Sequence, residues 1–260
     1  MKYNSRKNFT SIVFGLVFLI ASSTGLSQSK NSQRKVDPSD FVTRFELKNQ
    51  YIDKQGGGYK NLFVPRFEYA VSQDHALRVE IPLVTQQPFA AGRDVDFGIG
   101  DLSLKSSWRV HKGKGIKVVS GLGITLDTAA EYVLGSGKDV LKPFIFASIR
   151  MSQLGAIFIP YLQHNVSVSG KEDSSDVSNT FFKPMVFKIL SGRKYIFLEP
   201  TVYVNHEISD KVGVTFQGEI GKFMGKPTMV YIKPGFGLHG TDVPQVSNWS
   251  FTIGMRHFFR

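Results

Sequence analysis

Residues 248–260 read Asn248-Trp249-Ser250-Phe251-Thr252-Ile253-Gly254-Met255-Arg256-His257-Phe258-Phe259-Arg260. Side chains of an extended chain alternate between two faces. Trp249, Phe251, Ile253, Met255, His257 and Phe259 therefore share one face, and Ser250, Thr252, Gly254, Arg256 and Phe258 share the other. The first face is almost wholly apolar and carries aromatic rings near its ends. A strand of about ten residues with one apolar and one polar face fits a wall of a transmembrane β-barrel. The last strand of a soluble β-sandwich alternates in the same way, so the rest of the chain must decide between the two.

A barrel demands this pattern of all its strands, and the pattern recurs. In Ile99 to His111, the residues Asp101, Ser103, Lys105, Ser107, Arg109 and His111 oppose Leu102, Leu104, Trp108 and Val110. Phe41 to Ile52 sets Arg44, Glu46, Lys48 and Gln50 against Phe41, Phe45 and Leu47. Tyr59 to Val71 sets Arg66 and Glu68 against Phe63, Phe67, Tyr69 and Val71, and Ala76 to Thr85 sets Arg78 and Glu80 against Leu77, Val79, Ile81 and Leu83. Ile116 to Asp127 has Lys117, Gly121, Gly123, Thr125 and Asp127 on one face. Val140 to Met151, Leu154 to Val168, Asn179 to Leu190, Lys194 to Asn205, Val212 to Phe223 and Thr228 to His239 alternate more weakly. In the first of these, Phe144 and Phe146 share a face with Arg150. With the terminal segment they make 12. The expected fold is all-β, an antiparallel transmembrane β-barrel of about 12 strands over residues 41–260.

The connections supply an independent test, because outer-membrane barrels have short periplasmic turns and longer outer loops. With both ends periplasmic, the inner turns are Ser72 to His75, Lys112 to Gly115, Ser152-Gln153, Ser191 to Arg193 and Met224 to Pro227, all short. Most of the outer connections, such as Gln86 to Gly98, Thr128 to Asp139 and Ser169 to Ser178, are longer. Ile208-Ser209-Asp210-Lys211 reads as a tight turn on the wrong side; if it is periplasmic, the count becomes ten or fourteen strands. Trp108, Trp249, Tyr69, Tyr161 and Tyr203 lie near strand ends, where membrane interfaces favour aromatic rings.

Residues 1–27 carry Lys2, Arg6 and Lys7, then an apolar run from Ile12 to Ala21, then small residues to Ser27, the three-part pattern of a secretory signal peptide. Its removal lowers the net charge from +11 to +8. Residues 28–40 are expected to be a flexible N-terminal segment. The chain has no cysteine, which excludes a disulfide scaffold and thiolate chemistry. A closed ring of paired strands holds an exported chain together by other means. The expected location is the outer membrane of a Gram-negative bacterium.

The terminal stretch resembles the C-terminal signal of bacterial outer-membrane proteins, in which apolar residues at every second position precede a near-terminal aromatic. That resemblance implies that Trp249, Phe251, Ile253, Met255 and Phe259 engage the barrel-assembly machinery. A second resemblance rests on Phe97-Gly98-Ile99-Gly100-Asp101-Leu102-Ser103-Leu104, on Gly121-Leu122-Gly123-Ile124-Thr125-Leu126 and on Leu134-Gly135-Ser136-Gly137. These look like the pattern of outer-membrane proteins of the phenol-degradation (meta-pathway) family, with Asp127-Thr128-Ala129 in place of that family's Pro-Thr-Gly. Membership would imply a transporter-like barrel that passes small, often hydrophobic, molecules.

Catalytic readings are weaker. None of the six histidines stands in a zinc-binding spacing, so neither a metal site nor a cofactor is expected. His164-Asn165-Val166-Ser167 loosely resembles the His and Ser-Asn arrangement of outer-membrane phospholipases, with order and spacing altered; the alternative is a lumen histidine. Glu172, Asp173, Ser174, Ser175 and Asp176 form an acidic loop without EF-hand spacing. Gly56-Gly57-Gly58 and Gly135-Ser136-Gly137 read as turn glycines.

The expected function is therefore a non-enzymatic pore or transporter for small molecules. Its lumen would be lined by Arg44, Glu46, Arg66, Glu68, Arg78, Glu80, Asp101, Lys105 and Arg109. Its partners would be outer-membrane lipid and a small-molecule solute, not nucleic acid. The alternatives are a lipid-modifying barrel enzyme and a soluble secreted β-sandwich that binds a ligand.

Overall fold

The computed structural model describes residues 37–87, 95–224 and 227–259. Residues 1–27, expected to be a signal peptide, most of the segment 28–40 and Arg260 lie outside the described residues. Twelve antiparallel strands follow one another round a ring. They are β1 Arg44–Lys54, β2 Tyr59–Ala70, β3 in two pieces His75–Glu80 and Leu83–Gln87, and β4 in two pieces Asp96–Ile99 and Ser103–Lys112. Next come β5 Ile116–Thr125, β6 Lys138–Met151, β7 Ala156–Gly170 and β8 Ser178–Ile189. The last four are β9 Lys194–Asn205, β10 Lys211–Phe223, β11 Thr228–His239 and β12 Ser247–Phe258. Each pairs with its sequence neighbour, and β12 returns to β1 with Arg44 opposite Phe258 and Tyr51 opposite Phe251. The ring is therefore closed. Closure leaves no open edge and removes the β-sandwich reading.

The alternation determines which face points outward. Phe251, Ile253, Leu104, Trp108, Leu122 and Ile220 stand exposed on the outer wall, along with many other large apolar side chains. An exposed apolar belt of this extent is unfavourable in water and suited to hydrocarbon. No described helix is long and apolar enough to cross a membrane; the crossing elements are strands.

The structure decides four points that the sequence raised, and changes two of them, the continuity of β4 and the placing of Tyr161 and Tyr203. The tight turn after β9 is a 3-10 turn, His206–Ile208, followed by Ser209 and Asp210 at φ of 57° and 55°. It sits at the loop end of the barrel, so the count stays at twelve and short connections occur at both ends. Second, β4 is broken at residues 100–102, which moves its inward face from even positions such as Gly98 to odd positions such as Lys105. Third, Tyr161 and Tyr203 line the interior rather than an interfacial girdle, whereas Tyr69, Trp108 and Trp249 do point outward. Fourth, Phe144 and Phe146 alternate poorly with their strand's outer face because they too point inward. They join Val119, Ile159, Met185, Phe187 and Tyr231 in an apolar cluster inside the barrel.

That cluster rests on glycines. A Cβ on Gly121 would lie 2.3 Å from the Phe144 ring, one on Gly221 2.3 Å from Tyr195, and one on Gly254 2.4 Å from Tyr231. Each ring covers an inward-facing glycine of the neighbouring strand, which offsets the weakness of glycine in a strand interior. Gly254→Ala must displace the Tyr231 ring and is expected to cost about 1–3 kcal/mol. A urea titration of the folded barrel in detergent measures this, and an unchanged midpoint would mean that the ring has room to move.

Candidate functional site

Inward side chains enclose a cavity of about 580 Å³ along the barrel axis, from Pro38 and Phe41 at the end carrying the termini to Gln50, Gln163 and Gln217. A second cavity of about 670 Å³ continues toward the loop end, shares Gln50 and Gln217, and is covered by residues Thr241 to Ser247. Val243 and Val246 bury themselves in that cover, and Asn205 donates to Gln245. Lys211 pairs with Asp242 at 2.5 Å, and the hydrogen bond from Lys211 holds the Asp242 carboxyl below the usual carboxylate range.

Seven of the nine expected lumen residues line the first cavity: Arg44, Glu46, Arg66, Glu68, Arg78, Glu80 and Lys105. The ladder sets them in two rows. Arg256, Glu46, Arg66 and Glu80 are directly opposite one another across four consecutive strands. Arg44, Glu68, Arg78 and Lys105 form the next row. Opposite charges on facing positions pair: Arg66 with Glu46 at 2.6 Å and with Glu80 at 2.8 Å, Arg44 with Glu68 at 2.9 Å, and Arg78 with Glu68 at 2.5 Å. Cross-strand pairs of opposite charge favour the register, and desolvated carboxylates require such partners.

Asp101 and Arg109 are placed elsewhere. Asp101 lies in the break of β4 and turns to the loop after β5. It accepts hydrogen bonds from the backbone N–H of Ala129 and Ser136 and from the Ser136 hydroxyl. Gly135 packs so closely that a Cβ would lie 2.4 Å from the Asp101 carboxylate. The segments that carry the family resemblance thus meet as a loop anchor. Arg109 lies at the opposite end with its side chain 4% exposed. It donates to the Ser39 and Gln73 carbonyls and pairs with Asp40 and Asp74. Lys117 joins it by pairing with Asp37 and Asp40. Residues 37–40, expected to be flexible, are thereby fastened across the mouth.

Several lumen residues escaped the sequence reading. Glu219 is fully buried, paired with Arg256 at 2.6 Å and accepting from the Tyr195 hydroxyl at 2.7 Å. Tyr231 donates to Glu46 at 2.6 Å, and Arg256 also reaches Glu46 at 2.7 Å. Glu199 is held by Lys183 at 2.6 Å and Lys233 at 2.7 Å. Lys142 donates to Thr125 at 2.5 Å. These lie on β6 and β8–β12, where the inward face mixes charges with aromatic rings. Arg256 did stand on the polar face of the terminal segment.

The hydrolase reading fails on geometry. His164 shares its face with exposed Leu162 and Val168, and its Nδ1 lies 2.9 Å from the Thr180 hydroxyl. Ser167 is on the opposite face, donating to Asp176. A nucleophile and base on opposite sides of one strand cannot form a triad, and His164 is not a lumen histidine. Asp176 of the acidic loop is engaged by Lys138 at 3.0 Å.

No protein-family model and no curated protein matches the sequence. Solved structures do match the fold. An outer membrane channel from Pseudomonas putida F1 aligns with a TM-score of 0.66 at 11% identity, covering 85% of this chain and 98% of that one. The KdgM porin, in complex with disordered oligogalacturonate, aligns at 0.58 with 8% identity over 84% and 99% of the two chains. The translocator domain of the autotransporter NalP from Neisseria meningitidis aligns at 0.56 with 8% identity over 97% and 98%. The likeness is one of architecture: this chain has the twelve-stranded fold of outer-membrane barrels.

Proposed function

We propose that the protein is an outer-membrane channel for small molecules without catalytic activity. The observation that carries this reading is the pair of adjoining cavities, the first lined by charged side chains, along the axis of a closed barrel whose outer wall is apolar. The architecture it shares with the Pseudomonas channel and the KdgM porin supports the same reading. The resemblance to the phenol-degradation family adds small, often hydrophobic, solutes as the class to try first. Lipid contacts the belt, and the outward Trp249, Phe251, Ile253, Met255 and Phe259 are available to the assembly machinery.

At the end carrying the termini, Pro38 and Phe41 line the first cavity, and residues 37–40 are fastened there by Arg109 and Lys117. Heat-modifiability is the first test: the mature chain folded in detergent should migrate faster on a gel before boiling than after, and should conduct in planar bilayers. A water-soluble chain without a mobility shift would end the membrane reading. Arg109→Ala removes the clamp on Ser39, Gln73, Asp40 and Asp74 and is expected to raise single-channel conductance without altering the gel shift. Unchanged conductance would place the main barrier at the loop end.

A further inference from the structure

The five carboxylates of the first cavity are all engaged, each with at least two cations. Glu46, Glu68 and Glu80 are held by arginines, Glu199 by lysines, and Glu219 by Arg256 and Lys233. The cavity carries nine cationic side chains against these five, a surplus of four. Three of the nine, Lys48, Lys105 and Lys142, form no ion pair among the described residues, and the last two stand together. In the row Arg44, Glu68, Arg78, Lys105 the alternation of sign stops at Lys105. The next position is Gly123, and the one after it is Lys142. Two lysines thus stand two strands apart, ~10 Å between backbones, with no side chain between them.

Neither has a carboxylate partner among the described residues. The Lys105 ammonium meets the Tyr161 hydroxyl at 3.3 Å and lies 3.6 Å from the centre of the Phe144 ring. The Lys142 ammonium meets only the Thr125 hydroxyl. Phe144, Tyr161 and Phe181 form a row of stacked rings beside them, with successive centroids 5.7 and 6.0 Å apart.

We propose that Lys105 and Lys142, across the gap left by Gly123, bind the carboxylate of a small organic anion whose apolar body lies against the Phe144–Tyr161 wall. An ammonium withdrawn from bulk water without a counterion is unfavourable, and an incoming carboxylate supplies that counterion through charge-assisted hydrogen bonds. The inference rests on the solute-accessible lumen proposed above.

Equilibrium dialysis of the folded, full mature chain in detergent against labelled benzoate tests it, with benzamide as the neutral analogue. Benzoate should bind and benzamide should not. Lys105→Gln and Lys142→Gln should each weaken binding about tenfold, while Lys112→Gln, on the exposed end of β4, should leave it unchanged. In planar bilayers under a KCl gradient the double variant should show a weaker preference for chloride over potassium than the parent. Conductance without benzoate binding, equal binding of benzamide, or unchanged binding in the lysine variants would overturn the site and leave the channel reading standing. Benzoate binding to a folded barrel that never conducts would preserve the site and overturn the channel reading.

Discussion

Arg256→Ala is expected to destabilise the barrel by about 3–5 kcal/mol, the loss typical of removing one partner from a buried ion network. Arg256 bridges two carboxylates that see almost no solvent, reaching Glu46 through Nε and Glu219 through both terminal nitrogens. Without it, Glu219 keeps the Tyr195 hydroxyl and a lysine 3.9 Å away, and Glu46 keeps Arg66 and Tyr231. The network joins β1, β9, β10, β11 and β12, so its loss strikes the closure of the ring. Urea unfolding in detergent is the measurement. Removing charge from both sides, as in Arg256→Met with Glu219→Gln, should cost much less than the single change. A single-variant loss below about 1 kcal/mol would show that water enters the network freely enough to replace the arginine.

Leu104→Arg is the second large effect, about 2–4 kcal/mol for a cation near the bilayer midplane. Leu104 lies midway along β4, facing outward between Val79 and Ile124. Its neighbour Lys105 points the other way, into the cavity. Lys105→Gln should alter conductance far more than unfolding. Equal effects of the two substitutions on unfolding would mean that the faces of β4 are wrongly assigned.

The fold was legible in the sequence because a barrel writes the same period-two pattern into every strand, and Leu104 beside Lys105 is that pattern at its plainest. It was least legible where the interior itself turns apolar. Phe144, Phe146, Met185 and Phe187 face inward, so polarity no longer separates the two sides of β6 and β8. Phase was the other obstacle. The break at residues 100–102 slips β4 by one position, so unbroken alternation groups Asp101 with Lys105 although it belongs to a loop anchor. The first half of the charged lumen could be read from Arg44 to Lys105. The second half, Lys183, Glu199, Glu219 and Lys233, is spread over strands whose aromatic content hid it. The clamp around Arg109 depends on residues 70 positions upstream, a distance over which local pattern carries no information.

The seam between β1 and β12 makes the presence of both strands a condition of folding. Arg44 meets Phe258, so the pairing that finishes the ring unites the first and last strands and closes a loop through almost the whole described chain. Contacts of such long range form slowly. Until they form, both strands present unpaired N–H and C=O groups, the edge on which sheets aggregate. A nascent or truncated molecule lacking its final segment forfeits the ring rather than one stave of it. Closure thus makes β12 as necessary to the lumen as the side chains that line it.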